Sequence, residues 1–203
     1  MIVGWMRSAF EQSRAIATLT LAGLDHAGAP NRRAFAEIVV RLQWLQAMPQ
    51  QDRAGVVDAL IDEDRKQTRR AFTHLGEMGH ERVVDLSDME SMLLEVTEQG
   101  PLRDQARSFV AAAKATQGQS VGLYYAWREE TQYTHATSVL AVAHAPERDG
   151  LIGTGRPPVA DADLEGHRLA TVLAVALVHR LLVDVGVAED LAVAVMTAYF
   201  DVP

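Results

Sequence analysis

Apolar residues recur along this chain at the three- and four-residue steps of an α-helix, and no stretch shows the convincing alternation of a half-buried strand. Residues 2–24 read as a first helix, with Trp5, Phe10, Ile16, Leu19 and Leu21 as its apolar positions. Gly28 and Pro30 punctuate a break at 25–30. Asn31 can then cap a second helix that ends before Pro49. Its Phe35, Ile38, Val39, Leu42 and Leu45 form one stripe, which marks it as a core-facing helix.

A third helix is predicted from about Gln51 to Leu75. Its middle, Ile61 to Arg70, is charged all round and offers i, i+4 pairs such as Asp62 with Lys66. Residues 76–82 read as a loop. Ser87-Asp88-Met89-Glu90 has the spacing of a capping box and predicts a fourth helix reaching Gly100. Pro101 suits the opening of a fifth, closed by Gly118. Ser120 can cap a sixth, and from Leu123 to Ala145 no Gly or Pro interrupts it. Residues 146–162 hold several Pro and Gly and predict an exposed loop, long enough to be mobile or functional. Asp163 can cap a seventh helix, Leu164 to Gly186, and Ala188 to Phe200 makes a short last one. The seventh is apolar on nearly every face between Leu169 and Val183. Such a helix is either buried centrally or shared with a second subunit. The pattern as a whole predicts an all-α, single-domain helical bundle of about seven or eight helices, without internal repeats.

Composition narrows the function classes. At 203 residues the chain is long enough to bury a core of its own. It has no Cys, which excludes disulfides, thiolate metal sites and a cysteine nucleophile. A formal charge of −8 gives no long-range attraction to nucleic acid or to an anionic membrane, so any such contact would need a local basic patch, and neither DNA nor a membrane is expected as a partner. The opening residues place Arg7 after the apolar ones, unlike a signal peptide, and the run Leu169–Val178 is too short to span a bilayer. A cytoplasmic protein is expected.

Few motifs carry chemistry. Only one Glu-x-x-His pair is present, Glu77 with His80, and Gly79 makes it a poor helical ligand pair, so no metal or other cofactor is expected. The Gly-rich GLIGTGRPP lacks both the strand before and the Lys-Ser/Thr after that a phosphate loop needs. What remains is Arg128 and His135, seven residues apart. On one continuous helix they project about 20° apart, two turns along. A neutral His can take a proton from a ribose 2′-hydroxyl, and an Arg fork can stabilise charge growing on a phosphate. Tyr124, Tyr125, Gln132, Tyr133 and Thr134 surround the pair in sequence and are candidate substrate contacts. Core packing with edge hydrogen bonds is the plainer role for the aromatics.

Arg128-x6-His135 resembles the Arg-x(4–6)-His signature of HEPN domains, as does a second candidate pair, Arg69 with His74. HEPN domains are helical bundles, many of them dimeric endoribonucleases of toxin–antitoxin and phage-defence systems. That resemblance implies a homodimeric, metal-independent ribonuclease with Arg128 and His135 catalytic, and RNA or an antitoxin-like protein as partner. The chain departs from the pattern in placing Glu129 directly after the Arg. Over residues 7–145, the order AGLDHAGAPNRRAFAEIVVRLQWLQAMP, a charged helix, then GLYYAWREETQYTHATSV is similar to an uncharacterised bacterial all-helical family, which implies a fold and no activity. Two other readings stand beside the nuclease. One is a non-catalytic interaction protein that docks through the 146–162 loop and the seventh helix. The other is a bundle that binds a small aromatic or anionic ligand beside Tyr124, Arg128 and His135.

Overall fold

The computed structural model describes residues 1–80, 85–116 and 118–200. The protein is all-α, as the pattern predicts, with 74% of its residues helical. In chain order the helices are α1 (Ile2–Leu21), α2 (Ala29–Ala47), α3 (Gln50–Glu77), α4 (Ser87–Ser91), α5 (Gly100–Arg107), α6 (Phe109–Ala115), α7 (Val121–Thr134), α8 (Ser138–His144), α9 (Glu165–Asp184) and α10 (Glu189–Phe200). A single 3-10 turn, Asp25–Gly28, precedes α2. The chain divides into two compact units, Met1–Ala47 with Thr116–Pro203, and Met48–Ala115.

In the first unit α2 is the central helix, because α1, α7 and α9 all pack against it. That explains why its residues from Val39 to Leu45 are buried without a break, rather than along one stripe. Val39, Leu42, Val178 and Leu181 are wholly withdrawn from water, and Ile16 and Phe35 nearly so. Each such side chain contributes about 1.5–3 kcal/mol by leaving water. Pro30 falls inside the first turn of α2, where its missing N–H has no partner to lose, so the break at 25–30 is shorter than its composition predicts. Asn31 does not cap; its amide donates to Gln12 Oε1 at 2.7 Å.

The α2–α7 seam is antiparallel and polar. Arg32 grips Glu130 with two nitrogens, at 2.5 and 3.0 Å. Trp127 Nε1 donates to Glu37 Oε2 at 3.1 Å. At the far end Ser120 Oγ donates to Gln43 Oε1 at 2.7 Å, so this hydroxyl joins two helices instead of capping α7. Arg33 donates to Thr131 Oγ1 and lies over the Trp127 ring, 5.4 Å from its centre.

Two predicted helices are each broken in two. The sixth stops at Thr134; His135 is extended, with φ −108° and ψ 162°, and α8 starts three residues on. Thr137 makes the break. Its hydroxyl donates to the Gln132 carbonyl and accepts the Leu140 N–H, closing one helix and capping the next. The fifth is interrupted at Ser108, also extended, whose Oγ accepts the Ala111 N–H. Both breaks come from a hydroxyl rather than from Gly or Pro. The 146–162 segment carries a two-residue ladder, β1 (Glu147–Arg148) with β2 (Leu151–Ile152), and is otherwise mostly exposed. Beyond it the chain doubles back on α8. The Gly155 N–H bonds the His144 carbonyl, and a Cβ at 155 would land on the Ala143 carbonyl oxygen and the Pro146 ring.

Helix α9 is long and apolar enough to cross a membrane by length and composition, yet nearly half of that stretch is buried against the bundle. Such a test is also passed by core helices, and α9 packs on α1, α2 and α10. Leu169 remains 72% exposed, and Leu191 and Phe200 on α10 are exposed as well.

The second unit is built on α3, whose charged middle pairs as predicted: Lys66 Nζ donates to Asp62, and Gln67 to Glu63. Arg107 of α5 also reaches Glu63, at 3.4 Å. The predicted capping box at Ser87 does not form; α4 lasts five residues, and Glu90 pairs with Arg69 instead. Residues 92–99 then run without helix along α3. The Glu95 N–H meets Asp58 Oδ2, and the Thr97 N–H meets the Gly55 carbonyl, where the absence of a side chain at Gly55 allows the approach. The loop expected at 76–82 begins after Glu77, at Gly79 with φ +79°; its last two residues lie outside the described residues.

Candidate functional site

Arg128 and His135 are both exposed, the first on α7 and the second just past its end. The 20° projection expected of them assumes one helix through both, and that helix ends before His135. Tyr125 is exposed too, at 68%. Tyr124 stacks on Trp127, ring centres 5.9 Å apart. Gln132, Tyr133 and Thr134 are half-buried, and the Thr134 hydroxyl returns to the Glu130 carbonyl in its own helix. Arg69 and His74 lie exposed on α3 in the other unit, with Arg69 bound to Glu90 at 2.9 Å. Among the described residues no group of three His, Asp or Glu could hold a metal ion.

A larger feature lies on another side of α7. It is a cleft of about 460 Å³ between α2, α7 and the start of α9. Phe35, Leu123, Ala126, Leu169, Ala170 and Leu173 give it apolar walls. Its polar lining comes from Arg32, Gln119, Glu129, Glu130, Asp161 and His167. Sequence reasoning had singled out none of these as site residues. Arg32 and Glu130 are bound to one another with side chains only 10% and 11% exposed, and Arg32 Nη1 also donates to the Asp25 carbonyl. This pair is a wall of the cleft and leaves little hydrogen-bonding capacity for a visitor.

Asp161, rather than the predicted Asp163, caps α9. Its Oδ1 accepts the Gly166 N–H at 3.1 Å and its Oδ2 the His167 N–H at 2.8 Å. The reason is a turn. Leu164 takes a left-handed conformation, φ 57°, which swings the chain so that the earlier carboxylate faces the helix start. A carboxylate there is stabilised by the unpaired N–H groups and the helix dipole. A side chain at Gly166 would approach that carboxylate at 3.3 Å, closer than is comfortable.

The His167 ring is held on two sides. Its Nε2 shares a 2.8 Å hydrogen bond with Ser13 Oγ of α1, and its ring lies 4.4 Å from that of Phe35. Burial pushes the imidazole pKa below its ordinary 6.5; Arg32 adds to this and Asp161 opposes it. The ring is therefore neutral at pH 7. Its Nδ1 has no hydrogen-bond partner among the described residues and belongs to a side chain that lines the cleft.

The cleft is apolar over most of its surface and carries a few polar side chains, the composition common to small-molecule sites. The sequence signal for it is faint. Paired charges on otherwise apolar helices, Arg32-Arg33 and Glu129-Glu130, hint that α2 and α7 meet through charge, but nothing in one chain read linearly brings His167 to Ser13. Searches of protein-family models, of curated proteins and of solved structures find no match for the chain.

Proposed function

We propose that the protein binds a small, largely apolar molecule in the α2–α7–α9 cleft. The supporting observation is the cleft itself. Its volume of about 460 Å³ falls in the range of small-molecule sites, roughly 300–1,000 Å³, and it combines apolar walls with a few polar groups. The Arg32–Glu130 pair and the Ser13–His167 bond fix those walls, which favours a cleft formed before its ligand arrives.

The test uses a neutral fluorescent probe, N-phenyl-1-naphthylamine, titrated into wild type and Ala126→Trp. Ala126 is exposed at the cleft wall, so an indole there fills space without entering the core. Saturable enhancement in wild type, weakened at least tenfold in Ala126→Trp at unchanged helicity, is the expected result. Equal enhancement in both would place the probe elsewhere and sink the reading.

Metal-independent ribonuclease activity keeps one observation in its favour: Arg128 and His135 are both accessible. Labelled RNA incubated in EDTA with wild type and with His135→Ala separates the two readings. Cleavage by wild type alone assigns the activity to His135, whereas intact RNA in both removes it.

A further inference from the structure

The charge of the cleft says more than its size. One Arg and three carboxylates line it, and Arg32 is cancelled by its two-nitrogen grip on Glu130. Glu129 and Asp161 are left, and among the described residues neither has an ion-pair partner. Asp161 is partly offset by the N-terminus of α9, which it caps; Glu129 has no such offset. Burial keeps His167 neutral, so the imidazole adds no positive charge to the set. The whole chain carries −8, which deepens the negative potential in a cleft with apolar walls. An anionic ligand would meet two carboxylates there and, among the residues that line the cleft, no unpaired cation.

We infer that the cleft takes a cationic amphiphile, an apolar body against Phe35, Leu123 and Leu173 with a protonated amine directed to Glu129 and Asp161 beside His167. This rests on the binding reading proposed above and specifies its ligand class. The recognition follows from complementary parts. The aliphatic and aromatic walls remove the body from water. Two carboxylates supply charge-assisted acceptors for an ammonium, which brings three donors and no acceptor of its own. The imidazole can meet either partner at Nδ1, because its tautomer is set by whether Ser13 donates or accepts at Nε2. Exchange of the ammonium for a carboxylate of equal size converts attraction to repulsion, so charge discriminates among ligands more sharply than shape does.

Three probes of matched body test this at pH 7: 4-phenylbutylamine, 4-phenylbutan-1-ol and 4-phenylbutyrate, titrated by calorimetry. The expected order is amine, alcohol, acid, with at least tenfold between the first and the last. Glu129→Gln should narrow the gap between amine and alcohol several-fold. Equal affinities for all three, or a preference for the acid, would overturn the cationic class while leaving the cleft reading intact. An amine-to-alcohol ratio unchanged in Glu129→Gln would overturn the placement of the amine. Failure of all three to bind, together with failure of the neutral fluorescent probe, would overturn the binding reading and this inference with it.

Discussion

The α2–α7 seam and the cleft beside it share a wall, and they treat polar groups in opposite ways. In the seam, Trp127, Glu130, Thr131 and Ser120 each have a partner on α2. In the cleft, Glu129 and the Nδ1 of His167 have none among the described residues, and Asp161 has only backbone N–H groups. Glu129 and Glu130 are adjacent in sequence, yet one holds the fold together and the other faces a void. A buried polar group that is fully paired is spent on structure. One left open on an apolar surface retains the capacity to bind.

The largest effect should come from breaking the shared wall. Glu130→Ala leaves the Arg32 guanidinium buried without its counter-ion, and should lower stability by about 3–5 kcal/mol in urea denaturation. The double change Arg32→Leu with Glu130→Leu should cost far less than that single one, since it removes both charges. A double variant as unstable as Glu130→Ala would mean that the pair is not the source of the loss.

A smaller effect concerns His167. Its pKa is lowered on folding, so the unfolded chain binds its proton first as pH falls. Stability from this group is complete above the ordinary value of 6.5 and declines below it, until pH reaches the folded pKa. In His167→Gln the decline between pH 6.5 and 5 should flatten, as read from urea midpoints at each pH. An identical slope in wild type and variant would show that other groups dominate.

The smallest effect is expected on the outer face of α7. Arg128→Ala and His135→Ala, singly or together, should shift stability by no more than about 0.5 kcal/mol, because both side chains are exposed. A loss of 2 kcal/mol or more would mean that they belong to a network, and would erase the contrast between the two faces.

The fold was legible where apolar periodicity was strong: α1, α2, α3, α9 and α10 begin and end within a few residues of their predicted bounds. It was less legible where a hydroxyl decided. Thr137 and Ser108 end helices whose composition gives no Gly or Pro at the break, and the aligned Arg128–His135 stripe depended on the first of these. That motif is also cheap. With seven His and Arg supplying all but two of the 19 basic residues, an Arg followed four to six positions later by a His arises by chance about twice in such a chain. The seam was half visible, since Arg32-Arg33 and Glu129-Glu130 stand as paired charges on otherwise apolar helices, but which of them meet is decided by packing. The cleft was not visible, because it joins residues 13, 32, 129, 161 and 167, whose proximity is a property of packing alone.

Gly155 gives that packing a mechanical side. Its backbone is pinned beneath the end of α8, where no other residue fits, while Ala160 and Asp161 form part of the cleft wall. Between Gly155 and Asp161 run five residues, a connection that reaches roughly 20 Å at full stretch. Asp161 is clamped at its own end to the first turn of α9. The segment beside the cleft is thus a short strap held at both ends rather than a free strand, and its first hold depends on a position, beyond the hairpin, that must lack a side chain.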